Sequence, residues 1–246
     1  MSDEQKLEEQ VLSKVVETQL SNQLDKAEKI DVDVQTDLLK TVQGQADSVT
    51  VEGQGLVMQK DIRVQEIKLQ TDSISVNPLS AILGQIELNQ PVNTAARIVL
   101  LEDDINRALT SDFVRSKLQK YDLNVDGQIV GFEAQQIQIF LPDQGKIGFR
   151  GRVLLHEPEN TRQLSFTAMV RPRTLSQPIR MESFNCTEGE GISLEIIAAL
   201  MQKVKELVNS PYFEYEDMAF RIKKMEVQKG KLSLLVEAKV SQIPTP

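Results

Sequence analysis

The stretch "DIRVQEIKLQTDSISV", residues 61–76, changes step twice. Ile62 and Val64 occupy even positions, Ile67 and Leu69 odd ones, and Ile74 and Val76 even ones again. Side chains of a strand alternate between its two faces, so a flat, half-buried strand keeps one parity from end to end. The same oddity recurs near the C-terminus, where "FRIKKMEVQ" (220–228) aligns without gaps to "IRVQEIKLQ" (62–70). In both, the apolar phase slips by one residue between the second and third hydrophobic positions. Such a slip predicts a β-bulge, which bends a strand and sharpens its twist. Two matching slips predict a sheet that is curved on purpose. A curved sheet either closes on its own helices as a filled core or wraps a long apolar groove, and the residues alone leave both open.

The remaining elements follow from periodicity. Residues 4–24 place Leu7, Val11, Leu12, Val15, Val16, Leu20 and Leu24 on one stripe of an amphipathic helix. "KIDVDVQ" predicts a short strand, "DLLKTVQG" a helical turn or loop closed by Gly44, and residues 46–58 a strand carrying Gly53 and Gly55 at one parity. Glycines so placed mark a bend or a close approach. "NPLSAILG" suggests a brief helical turn, and the strand after it should be an edge or a bulge because of Pro91. "EDDINRALTSDFVRSKLQKY" is predicted helical, broken near Thr110–Ser111, where Ser111 or Asp112 can cap a second turn. "LNVDGQ" reads as a turn. Three alternating strands come next, through Ile137 and Ile139, through Phe149 and Val153, and through Leu164, Phe166 and Ala168. Arg150, Arg152 and His156 oppose the apolar face of the second. Residues 191–209 form the strongest helix, and a last hairpin turns near Lys229–Gly230. No Pro/Gly-rich joint divides the chain, so residues 1–246 are expected to form one α+β domain with long antiparallel strands and a helix near each end.

Charge narrows the partners. The net charge of −8 argues against nucleic acid, whose phosphates require concentrated Lys and Arg. It is unevenly spread: residues 1–56 hold twelve acids and five lysines, whereas residues 146–181 hold seven basic residues and two acids. The basic segment is either a solvated strand surface or an attraction for anionic headgroups at a membrane. Cys186 is the single cysteine, so no internal disulfide forms and no oxidising compartment is required. The charged N-terminus shows no signal peptide, and no run approaches the ~20 apolar residues of a spanning helix. A cytoplasmic protein, peripheral at any membrane it meets, is the expectation.

Catalytic signals are sparse. His156 is the only histidine, at a strand end, and Cys186 could serve as a nucleophile only with His156 beside it. No CxxC, HExxH or calcium-loop pattern occurs, so neither metal nor cofactor is implied. The acids of "LEDDINR" suit a helix N-terminus better than a general acid/base pair. A non-enzyme is expected.

Residues 38–109, from "LLKTVQGQADSVTVEGQGLVM" through "IRVQEIKLQTDSISV" to "LLEDDINRAL", resemble the bacterial LmeA-like phospholipid-binding family, and "FRIKKMEVQKGKLSLLVEAKV" is similar to its final hairpin. The resemblance implies a fold akin to tubular lipid-binding proteins, with a curved antiparallel sheet wrapped around helices and an apolar groove between them. It also implies phospholipid binding at bacterial envelopes, although the signal or anchor of many members is not seen here. Groove candidates are then Ile62, Val64, Ile67, Leu69, Ile137, Ile139, Phe149, Leu200 and Val204; headgroup candidates are Arg150, Arg152, Arg171 and Arg173, whose guanidinium groups suit phosphate. Three readings stand: a carrier of phospholipid or a similar amphiphile that meets a membrane transiently, a soluble interaction or scaffold domain with a filled core, and an enzyme acting on a lipid-like substrate. The oligomeric state is open.

Overall fold

A computed structural model describes residues 3–22, 24–58, 62–77, 87–118, 120–189, 191–209, 213–215 and 218–241. They form two compact units. The first comprises residues 1–99, 211–222 and 234–246, and the second residues 100–210 and 223–233. Both are built on open antiparallel sheets with few helices, an α+β arrangement.

The first unit opens with helix α1 (Asp3–Asn22). Strand β1 (Lys29–Gln35), the short helix α2 (Leu38–Val42), β2 (Gln45–Ala46), β3 (Ser48–Met58), β4 (Ile62–Thr71), β5 (Ile74–Ser75) and β6 (Val92–Leu101) follow. Asp37 caps α2 by accepting from the Lys40 N–H at 2.9 Å, and Gly44 closes the turn at φ 69°. The expected helical turn over "NPLSAILG" lies outside the described residues beyond Asn77. Strands β1, β3, β4 and β6 continue into the C-terminal hairpin in one seven-stranded sheet, ordered β1-β3-β4-β6-β14-β13-β12. Here β12 is Phe213–Tyr215, β13 Met218–Gln228 and β14 Lys231–Val240, and the hairpin turns at Gly230, φ 70°. β6 is therefore interior, not an edge. Pro91 is accommodated because it stands just before the first paired residue, where no N–H is required of it. The true edge, β1, is covered by α1: Ser13 Oγ accepts from the Val34 N–H at 3.1 Å and Glu9 Oε1 from the Thr36 N–H at 3.4 Å. Satisfying edge N–H groups in this way blocks pairing with another chain.

The opening phase slip has a different origin from the expected one. The β3–β4 register runs from Thr50 opposite Gln70 to Met58 opposite Ile62 with no inserted residue. The reset is made by Gly55, whose φ of +58° lies in the left-handed region. Leu56 consequently folds back over Gly53, with Cδ1 2.8 Å from where a Cβ on Gly53 would stand and Ile67 Cγ2 3.0 Å from the same point. Leu56 and its partner Val64 thus join the face of Gly53 and Ile67. The related slip in β13 lies between Ile222 and Met225, where the strand passes from the first unit into the second.

The second unit opens with α3 (Glu102–Thr110) and α4 (Asp112–Leu118). Ser111 separates them, accepting from the Val114 N–H at 3.3 Å, as its position predicts. The residues after α4 do not prolong the helix: β7 (Lys120–Val125) pairs with β8 (Gln128–Phe140) across an Asp126-Gly127 turn with positive φ at both residues. β9 (Ile147–His156), β10 (Thr161–Arg171) and β11 (Arg180–Glu188) complete a five-stranded meander, and α5 (Leu194–Asn209) packs on it. Periodicity did not reveal β11. Bulges occur here instead of in β4. Gln135 is inserted in β8, where the apolar phase moves from Val130 and Phe132 to Ile137 and Ile139, and Thr187 and Glu182 are inserted in β11. Beyond the end of β7 the edge of β8 is taken up by Asn106, whose Nδ2 donates to the Ile139 carbonyl at 2.7 Å while its Oδ1 accepts from the Ile139 N–H at 2.8 Å.

Two substitutions test this account by urea unfolding. Gly55→Ala must hold a side chain at positive φ and meet the Glu28 side chain at 2.2 Å, and is expected to cost about 1–2 kcal/mol. Gly151→Ala places a methyl 2.7 Å from Ile137 Cδ1 and 2.9 Å from the Gln136 carbonyl, and overpacking of this kind costs about 1–3 kcal/mol. An unchanged midpoint for either variant contradicts the assigned geometry.

Candidate functional site

In the first unit, register and the Gly55 reset bring Ile62, Val64, Ile67 and Leu69 to one face. Two rows cross neighbouring strands there: Val51–Leu69–Ala96 and Gly53–Ile67–Ile98. Val51, Ile67, Leu69 and Ile98 are only half-buried, so the face retains accessible apolar surface. The opposite face carries Glu52, Lys68 and Arg97 in register, with Lys68 and Glu52 ion-paired. This sheet segment is amphipathic, water-facing on one side and apolar on the other.

In the second unit, Phe149, Gly151, Val153 and Leu155 share a face with Ile137, Ile139, Leu164, Phe166 and Ala168. Its centre is filled: Val153 and Leu155 are 0% exposed, and Ile196 of α5 seals them at 3%. Ile137, Phe149 and Leu200 sit half-buried at the rim of this layer, together with Phe184 and Cys186. Phe184 stacks on Phe166 with ring centroids 5.1 Å apart. Phe184 leaves no periodic trace in the sequence, because the inserted Thr187 and Glu182 interrupt the alternation that would mark the strand. The Val204 side chain lies outside the described residues.

The headgroup candidates divide. Arg150 and Arg152 are exposed on the sheet face opposite the Phe149 layer, beside Gln136, Gln138, Ser165 and Thr167. They therefore do not line the rim formed by Ile137, Phe149 and Leu200. Arg171 is held by Glu182, its Nε donating to Oε1 at 2.8 Å. Lys146 joins the same carboxylate at 2.6 Å, and Lys146 and then Arg171 hold the Glu182 carboxyl below its ordinary range. Arg173 is half-buried, its carbonyl accepting from the Met225 N–H at 2.9 Å.

The candidate catalytic groups are kept apart. Cys186 faces the apolar layer, whereas His156 lies on the outer face between Glu133 Oε2 at 3.0 Å and Thr161 Oγ1 at 3.1 Å. His156, followed by Lys120, holds the Glu133 carboxyl below its ordinary value. In "LEDDINR", Glu102 accepts from the Leu141 N–H at 2.7 Å and Asp104, 4% exposed, pairs with Arg107 at 3.2 Å. Glu102 thus binds the end of strand β8 and does not cap its own helix. Among the described residues no three His, Cys, Asp or Glu side chains cluster to hold a metal, and no helix is long and apolar enough to cross a membrane. A shallow cleft of about 280 Å³ between α1 and β1 is lined by Glu9, Glu17 and Asp33, a charge that repels anions.

The chemistry available is therefore apolar contact on an open sheet face, without an assembled reaction centre among the described residues. No curated protein and no solved structure matches the chain. The sequence model of one family does match, over residues 4–237, nearly the whole length. The chain belongs to the LmeA-like phospholipid-binding family.

Proposed function

We propose that this protein binds a phospholipid without acting on it chemically, laying acyl chain along the apolar face of β3, β4 and β6. The observation that carries the reading is the half-buried row of Val51, Ile67, Leu69 and Ile98 on one side of a sheet whose other side is charged. In this reading the bulged, twisted strands wrap around the helices as in tubular lipid-binding folds, and the protein shuttles its ligand at a bacterial membrane that it meets transiently. The rim of Ile137, Ile139, Phe149 and Leu200 offers a second apolar ledge.

Magnitudes support it. Burying acyl chain contributes about 0.8 kcal/mol per methylene, so eight methylenes contribute about 6 kcal/mol. Micromolar binding requires about 8 kcal/mol. A charge-assisted phosphate contact, worth about 1.5–3 kcal/mol, closes that gap. A second reading, an interaction domain without ligand, draws on the filled layer around Val153 and Leu155.

Native mass spectrometry of freshly purified protein, followed by solvent extraction, separates the two. The carrier reading expects a stoichiometric phospholipid that leaves on denaturation. Empty protein that takes up no labelled phospholipid from vesicles supports the interaction domain instead. Adjacent residues on β4 give a sharper contrast. Leu69→Glu, which charges the apolar face, should lower uptake on the order of tenfold. Lys68→Glu on the opposite face should leave uptake unchanged, and equal effects of the two sink the assignment of the face.

A further inference from the structure

Arg221 of β13, in the first unit, is half-buried, and its Nε is fully shielded with no hydrogen-bond partner. Its guanidinium forms no ion pair among the described residues. Shortage of carboxylates does not explain this, since the chain has 36 acids and 28 Lys and Arg residues. The related arginine makes the contrast plain. Arg63 occupies the equivalent place in "IRVQEIKLQ", and it is satisfied by Glu28 Oε1 at 2.8 Å and by Gln65 Oε1 at 2.8 Å. One pattern thus places two arginines in the same unit and, among the described residues, provides a carboxylate for only one of them.

Leaving a shielded donor of a charged group without an acceptor is unfavourable, so such a group calls for a partner. The two terminal nitrogens of a guanidinium match two oxygens of a tetrahedral phosphate, and in a half-buried arginine whose Nε is shielded they are the donors left to meet one. We propose that Arg221 is a phosphate-binding residue, its guanidinium taking two oxygens of a phosphate monoanion. This rests on the phospholipid reading and supplies the polar contact that the acyl chain alone lacks. The same chemistry is offered by a lipid phosphodiester and by free phosphate.

The test uses the full chain, wild type and Arg221→Gln, with Arg221→Lys and Arg221→Met as further variants. Three probes are titrated: a fluorescent phosphatidylglycerol, a fluorescent diacylglycerol with the same chains, and inorganic phosphate followed by thermal shift. Losing a charge-assisted pair should weaken phosphatidylglycerol binding on the order of tenfold or more in Arg221→Gln and Arg221→Met. Diacylglycerol binding should not change, and Arg221→Lys should recover part of the loss. Stabilisation of wild type, but not of Arg221→Gln, by inorganic phosphate, with phosphatidylglycerol no better bound than diacylglycerol, assigns the site to free phosphate. Equal losses for both lipids, or no loss for either and no phosphate effect, overturn the role of Arg221. A wild type that binds neither lipid overturns the carrier reading itself. If Arg221→Gln fails to fold, Arg221→Lys and Arg221→Met carry the same comparison.

Discussion

The constraint on which the rest depends is the two-residue alternation of a strand. Strands of ten to thirteen residues, such as β4 and β8, are long enough that twist carries their ends into different surroundings. One apolar parity cannot serve such a strand throughout, and the chain resets parity in two ways. Gly55 turns the backbone through a left-handed conformation without changing the residue count, so β3 and β4 switch together. Gln135, Thr187 and Glu182 are inserted residues that shift one strand against its neighbour. The second device also frees a side chain: the inserted Glu182 reaches Lys146 and Arg171.

This difference explains what could be read from the residues and what could not. The slip in "IRVQEIKLQ" was visible because the apolar positions themselves change parity. Its mechanism was not, because a bulge and a positive φ on the partner strand leave the same trace in β4. Gly55 held the missing information, but only pairing places it opposite Gln65. The phase change in "IVGFEAQQIQIF" lies in the residues too, but the strand expected through Ile137 and Ile139 falls wholly beyond the inserted Gln135 and shows one parity. β11 was hidden more deeply, since two insertions in nine residues leave no period to detect. The helix cap at Ser111 was the easiest feature, because it acts on an N–H group three residues away.

Side-chain grouping within a strand was likewise legible, and grouping between strands was not. Arg150 and Arg152 were correctly set against Phe149 and Val153 on β9. Joining them to the same mouth as Phe149 required the two faces of one sheet to meet, which strand geometry forbids in that unit. Arg63 and Arg221 show the same limit. They are indistinguishable in the repeated pattern, and only the fold brings Glu28, thirty-five residues away, to one of them.

Apolar surface left open and a shielded charge left without a partner are both unfavourable in a protein considered alone. In the second unit such features are largely removed: Val153, Leu155 and Ile196 are sealed, and Asp104 and Glu182 have cations beside them. The first unit keeps both, the half-buried face of Val51, Ile67, Leu69 and Ile98 and the guanidinium of Arg221. In the proposed reading one kind of molecule satisfies the two together, an amphiphile with apolar chain and phosphate. An amphiphile without phosphate would exploit only the first feature and a free phosphate only the second. The coincidence of both within one unit is why a phospholipid accounts for more of this chain than either half of one.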